Sequence, residues 1–187
     1  MGCVLGWRSR SVERLCHTLP RVSGEKMKFI TRIAPSPTGD MHIGTARTAY
    51  FNWLAARASG GEFYLRIDDT DQSRNKPEHI KTIIDTMDWL GLDYAGQIYQ
   101  SKRFGMYKLF AEILMGSNWA EKKDGAIVLK VKYSSVFPKC WTDETIGDVA
   151  ITDDDITNMD GMVIIKSDGS PSYNFCSIVD DMETRVL

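Results

Sequence analysis

The sequence predicts an α/β fold built on a parallel sheet, and three observations carry that reading. A short apolar run, Phe29-Ile30, leads through Arg32 into a stiff Pro35-Ser36-Pro37 loop that opens a helical pattern. Residues 45–58 then place Ala46, Ala49, Tyr50, Trp53 and Leu54 at the i, i+3, i+4, i+7 and i+8 positions of one helix face. After Gly60-Gly61 a second short apolar run, Phe63-Tyr64-Leu65, reads as a buried parallel strand. Strand, helix and strand within about forty residues make one βαβ unit. Its crossover is expected to be right-handed.

The first strand is expected over 28–34 and the second over 63–67. A helix is expected over 77–90, with Pro77 in its first turn and Ile80, Ile83, Ile84, Met87 and Leu90 facing the core. Gly91 ends it. Another helix, 103–115, is carried by Phe104, Tyr107, Ala111 and Leu114. Residues 125–131 read as a strand, 162–166 as a strand, and 171–181 as a short helix after an Asp168-Gly169 turn. Between 132 and 156 the pattern is weak and suggests a small irregular insertion. Its acidic run Asp153-Asp154-Asp155 is expected to be a solvated turn.

The chain has 187 residues and a net charge of −2, with 43% hydrophobic and 26% charged residues. That is room for one domain with a core, and an ordinary composition for a globular protein. The overall charge does not advertise a nucleic-acid partner, although a local basic groove can sit on an acidic protein. No apolar run approaches the roughly 20 residues of a membrane span. Cys3, Cys16, Cys140 and Cys176 are widely spaced and form no CxxC pair, so free thiols are expected. Residues 1–27 stand apart, with five basic residues against two acidic ones; the other 160 residues hold 18 basic and 23 acidic. This segment reads either as an Arg-rich transit peptide or as an extension upstream of a natural start at Met27, and in both cases lies outside the fold.

The chemistry concentrates where the first strand ends. A helix amino terminus offers free N–H groups and a positive dipole end to a phosphate. His42 at that point can donate to phosphate oxygens and steady charge on a phosphoryl group under attack; it can equally cap the helix. Gly44 leaves room for close approach. Arg32 suits a bidentate carboxylate pair, with a substrate or in a structural salt bridge such as one with Asp68. Ligands of open α/β sheets sit at the carboxyl ends of the strands. Asp68, Asp69 and Asp71 therefore share an edge with Arg32. They suit an amino group, a ribose hydroxyl or Mg²⁺, or else capping and loop stabilisation. Tyr173 and Asn174 either line a pocket or serve as a half-buried aromatic and a cap.

The run Arg32-Ile33-Ala34-Pro35-Ser36-Pro37-Thr38-Gly39, followed by His42-Ile43-Gly44-Thr45-Ala46-Arg47-Thr48-Ala49, resembles the HIGH-motif region of the class I glutamyl-tRNA synthetases. The resemblance continues in Asn52-Trp53-Leu54, Leu65-Arg66-Ile67-Asp68-Asp69-Thr70-Asp71, Trp89-Leu90-Gly91-Leu92 and Tyr99-Gln100-Ser101. It returns in Lys166-Ser167-Asp168-Gly169-Ser170-Pro171-Ser172-Tyr173-Asn174-Phe175 and Val179-Asp180-Asp181. It implies a Rossmann-like parallel sheet with a HIGH-motif nucleotide site. It also implies ATP-dependent activation of glutamate, with ATP as substrate together with Mg²⁺, and transfer to the acceptor end of tRNA. By position, Arg32, Ala34, Ser36, Asp68 and Tyr173 hold glutamate, and His42, Gly44 and Thr45 contact ATP; His42 and Gly44 count as catalytic. The family usually has Glu where Asp68 stands. Glutaminyl relatives carry a different loop after the arginine.

The resemblance also sets expectations about extent. Residues 28–187 form a partial catalytic domain, with a shortened insertion at about 117–160 that keeps no cysteine cluster, so no zinc is expected. The second half of the sheet, the KMSKS loop and the anticodon-binding domain come later in the family than Leu187. The fold is thus expected to be truncated and the activity impaired. An alternative is a non-catalytic remnant, or half of a split protein that associates through an exposed sheet edge. A further one is an unrelated nucleotidyltransferase using the same loop. No membrane partner is expected. The expected location is cytoplasmic, or mitochondrial or plastid if residues 1–27 are a transit peptide.

Overall fold

The computed structural model describes residues 28–71, 73–131, 140–143 and 146–186. The expected extension 1–27, with Cys3 and Cys16, lies outside the described residues, as does 132–139 of the insertion.

The first strand, β1 (Ile30–Ile33), buries alternate side chains, Thr31 and Ile33. Helix α1 (Ile43–Ser59) returns the chain to β2 (Glu62–Ile67), parallel to β1 with Ile30 opposite Glu62 and Ile33 opposite Leu65. Helix α2 (Pro77–Trp89) leads to β3 (Gly96–Tyr99), parallel to β2, so the sheet order is β1-β2-β3. The expected βαβ unit is present and is followed by a second. Strand β3 was not expected: Gly96-Gln97-Ile98-Tyr99 is a half-buried edge segment with no apolar run.

Two glycines close the first crossover. Gly60 takes φ 71°, the left-handed conformation that ends α1. At Gly61 a Cβ would lie 1.9 Å from the Phe29 carbonyl oxygen, so only glycine lets the chain pass there. The buried face of α1 differs from the expected one. Ala49 and Ala56 are fully buried and Trp53 packs beside them, whereas Tyr50 and Leu54 are exposed. The small alanines let the helix lie close on the sheet, and that contact outweighs the larger side chains of the neighbouring stripe.

After a single 3₁₀ turn, Gln100–Arg103, helix α3 (Phe104–Gly116) buries Tyr107 and Ala111. Strands β4 (Ala120–Lys123) and β5 (Ala126–Leu129) form an antiparallel hairpin. Its turn residues Asp124 and Gly125 both take positive φ, 50° and 80°, as a two-residue turn of the primed type requires. The expected strand is therefore shorter and has a polar partner in β4. The insertion is not wholly irregular: β6 (Cys140–Asp143) and β7 (Gly147–Ala150) pair antiparallel, and the acidic run starts helix α4 (Asp153–Met159). Thr152 and Asp155 form a reciprocal capping box there, and three carboxylates in a first turn suit the positive end of the helix. Strand β8 (Val163–Ile165) joins β5, giving the order β4-β5-β8, and α5 (Tyr173–Thr184) closes the described chain.

Among the described residues, apolar burial gathers into two clusters. One joins Ile33, Leu65, Ile67, Ile83 and Met87 around the parallel sheet. The other joins Tyr107, Ala111, Ile164, Phe175 and Val179 around α3 and α5. Cys176 is a buried free thiol, but Cys140 is disulfide-bonded, a departure from the four free thiols expected. Spacing along the chain carries no signal of which cysteines meet in space. No helix among the described residues is long and apolar enough to cross a membrane.

Candidate functional site

The loops after β1 and β2 leave the same edge of the parallel sheet and touch. The Asp68 N–H donates to the Pro35 carbonyl at 3.0 Å, and the Lys76 N–H to that of Pro37 at 3.3 Å. The stiff proline loop is thus fixed by backbone bonds. Pro35 and Pro37 are buried, Ala34 is half-buried, and Ser36 stays exposed between the prolines.

His42 is the N-cap of α1. Its exposed ring accepts the Gly44 N–H on Nδ1 at 2.8 Å, and its carbonyl accepts the Thr45 N–H at 3.0 Å. With the Nδ1 lone pair in use, the hydrogen of the neutral ring sits on Nε2, which is left as a donor. Gly44 makes this placement possible. A Cβ there would lie 2.5 Å from His42 Cε1. What closely approaches the glycine is therefore the imidazole of the same motif.

Arg32 finds a carboxylate, but it is Asp181 of α5 rather than Asp68. Arg32 Nε donates to Asp181 Oδ1 at 2.8 Å and Nη2 to Oδ2 at 2.6 Å. Asp68 turns inward. Both its oxygens accept from Arg66, at 2.7 and 3.2 Å, and its side chain is 1% exposed. The carboxylate expected to face an amino group is therefore committed to a buried ion pair. Burial pushes the Asp68 carboxyl up, against the pull of the hydrogen bond and charge of Arg66 and of the charge of Arg32. Burial also works against the Arg66 cation. Its hydrogen bond to Asp68 and the charges of Asp68, Asp181 and Asp180 nevertheless hold its pKa above the usual value.

The other candidates take separate places. Asp69 accepts from the Ser101 N–H and hydroxyl at 2.7 and 2.6 Å, tying the end of β2 to the turn after β3. Asp71 accepts from the Ser73 hydroxyl and Arg74 and is held down to about 2 by those bonds. Tyr173 and Asn174 are exposed in the first turn of α5. Two cavities lie along this side. One, of about 290 Å³, is lined by Thr70, Asp71, Lys166, Asp168, Ser170 and Pro171. The other, of about 210 Å³, is lined by Asp69, Asn75, Lys76, Pro77, Ile80 and Ser101. Arg32 and His42 line neither. No group of three or more His, Cys, Asp or Glu placed to hold a metal occurs among the described residues.

Sequence reasoning missed the polar seam behind this edge. Asp180, fully buried on α5, accepts from Gln100 Nε2 (2.9 Å), Arg103 Nε (2.8 Å) and the Tyr107 hydroxyl (3.0 Å). Burial and the Asp180 charge push the Tyr107 hydroxyl pKa up, and burial pushes the Cys176 thiol to about 12, so both stay protonated. A signal was present. An arginine inside the apolar run of β2 and an aspartate on the buried face of α5 each demand a partner.

The family model described as the catalytic domain of class I tRNA synthetases (E and Q) matches residues 28–122 and 116–186. The chain belongs to that family. Among curated relatives of this synthetase domain, the glutamate–tRNA ligase of Oleidesulfovibrio alaskensis is 38% identical over 189 residues, covering 82% of this chain and 40% of that protein. The glutamate–tRNA ligase 2 of Neorickettsia sennetsu is 39% identical over 160 residues, covering 86% of this chain and 38% of its own. The chain thus spans about 40% of the length of the relatives it matches. Among solved structures, a glutamate tRNA ligase from Elizabethkingia meningosepticum matches with a TM-score of 0.71 at 23% identity, over 86% of this chain and 43% of that one. That likeness supports the synthetase fold. The family match sets aside the reading of an unrelated nucleotidyltransferase.

Proposed function

We propose that residues 28–186 carry the ATP- and glutamate-binding part of a glutamate-activating site, and that the reaction served is formation of glutamyl-adenylate for transfer to tRNA. The observation that carries the reading is the first turn of α1. His42 caps the helix through Nδ1 and keeps Nε2–H for a ligand, beside a helix amino terminus that favours phosphate. In this reading His42, Gly44 and Thr45 take the triphosphate of ATP, which arrives as its Mg²⁺ complex. Arg32 takes a carboxylate of glutamate, with Ala34, Ser36 and Tyr173 around it. Asp68 acts through Arg66, as the buried counter-charge of the pocket. No general base is required of His42, because phosphoryl and adenylyl transfer rest on positioning and charge stabilisation. The curated relatives are named as glutamate–tRNA ligases, which supports glutamate over glutamine.

The substitution His42→Asn tests this, since asparagine is a good N-cap but lacks the imidazole. The expected result is an unchanged melting temperature with ATP affinity lowered roughly tenfold, the scale of one charge-assisted hydrogen bond. Unchanged ATP binding removes the role given to His42. Glutamate-dependent ATP–pyrophosphate exchange, with tRNA present, then reads whether activation follows binding.

A second reading is favoured by one observation. Strand β1 ends the β1-β2-β3 sheet and has no strand on its far side among the described residues. An open parallel edge recruits another chain, so a partner polypeptide can complete the sheet in place of, or as a condition for, catalysis. Sedimentation of the purified chain decides it, and a well-behaved monomer counts against this reading.

A further inference from the structure

Arg32, on β1, and Asp181, on α5, lie 149 residues apart and meet edge to edge. The carboxylate takes Nε and one hydrogen of Nη2; among the described residues, Nη1 and the outer hydrogen of Nη2 have no partner. Asp181 is itself held. Its Oδ1 also accepts Arg66 Nη1 at 2.9 Å, while Arg66 is gripped by Asp68 on one side and by the Ser177 hydroxyl at 3.1 Å. The four charges form a ladder, Asp68–Arg66–Asp181–Arg32, closed at one end and open at the other. The side chains of Arg66 and Asp68 are 1% exposed, those of Asp181 and Arg32 27% and 29%.

We propose that Asp181 is the positioning residue of Arg32. It aims the free Nη1/Nη2 fork of that guanidinium at the carboxylate of the amino-acid ligand. The inference rests on the reading above, in which Arg32 binds glutamate. Arginine pays for its reach in rotamer freedom, and its planar fork recognises a carboxylate only in one orientation. A partner on the opposite edge fixes that orientation before the ligand arrives. Because Asp181 divides its charge between two guanidiniums, it holds Arg32 without cancelling it. Arg66 and Asp68 pass the rigidity of β2 to the pair, and through Asp181 the pose of α5 reaches the pocket. If Asp181 were only a structural counter-ion, it would compete with a ligand carboxylate, and its neutralisation would strengthen binding.

Calorimetric titration of the full chain with L-glutamate and, separately, with ATP distinguishes these. Asp181→Asn is expected to weaken glutamate binding about tenfold and to leave ATP binding within about twofold. Asp181→Glu, which keeps the charge and moves it by one methylene, is expected to fall between the two. Glutamate binding that is unchanged or tighter in Asp181→Asn overturns the proposal. So does an equal loss for both ligands, because it reports general damage. If Asp181→Asn does not fold, Asp181→Glu carries the comparison by the same criterion of selective glutamate loss. Absence of glutamate binding in the unmodified chain overturns the reading of the pocket, and the proposal with it. In that case the Arg32 Nε–H resonance, slowly exchanging in the unmodified chain and fast in Asp181→Asn, still reports whether the pin itself exists.

Discussion

The parallel-sheet half, residues 28–99, and the antiparallel half, residues 100–186, solve the problem of burial separately and meet through charge. Each has its own apolar cluster. Between them run Arg66, Asp68, Arg103, Asp180 and Asp181, paired across sequence separations of up to 115 residues, and 149 where Arg32 joins. The contrast shows that apolar contact makes each half, while the orientation of one half on the other rests on a few directional ion pairs. A cluster of leucines tolerates sliding, whereas a bidentate guanidinium–carboxylate pair does not.

The sharpest way to break this picture is Arg66→Met, which strands the buried Asp68 and leaves Asp181 with Arg32 alone. Removing one partner of a buried pair costs about 3–5 kcal/mol. Urea unfolding is expected to show that loss together with a broader transition as the halves uncouple. Leu65→Ala, one residue away and fully buried in the parallel half, is expected to cost about 3 kcal/mol by creating a cavity, with the transition remaining as steep as in the unmodified chain. If both variants unfold with the same slope, the seam is not a separate joint. Gly44→Ala leaves both cores alone. It is expected to change stability by less than about 1 kcal/mol, because alanine suits a helix, yet to lower ATP affinity severalfold by displacing the His42 ring, read by calorimetry. The smallest effect belongs to Asp71, which is partly exposed at the surface. Its folded-state pKa lies below the unfolded value, so its contribution to stability is present above pH about 4 and is lost as pH falls through about 2. Carbon-13 titration of its carboxyl in the unmodified chain and in Arg74→Ala checks this, with an upward shift expected in the variant.

Much of the parallel half was legible because its elements are local. Strand β2 is a run of side chains buried on both faces, and α2 repeats Ile80, Ile83, Ile84 and Met87 at helical spacing. The antiparallel half was harder. Strand β4 is Ala120-Glu121-Lys122-Lys123, a polar edge that no apolar pattern marks, although Asp124-Gly125 was a turn signal waiting to be used. Helix α4 hid behind its own acidic first turn, which reads as a loop until Thr152 is recognised as its cap.

At the site, the HIGH loop and the shared sheet edge followed from order along the chain. Sequence alone determined the βαβ core, the placement of His42 and Gly44 at a helix start, and the family, because these depend on neighbours a few residues apart. Only the tertiary structure decided that Arg32 meets Asp181 and that Asp68 turns inward to Arg66. Ion pairs between distant segments leave no periodic trace; they form wherever folding removes water from opposite charges at once.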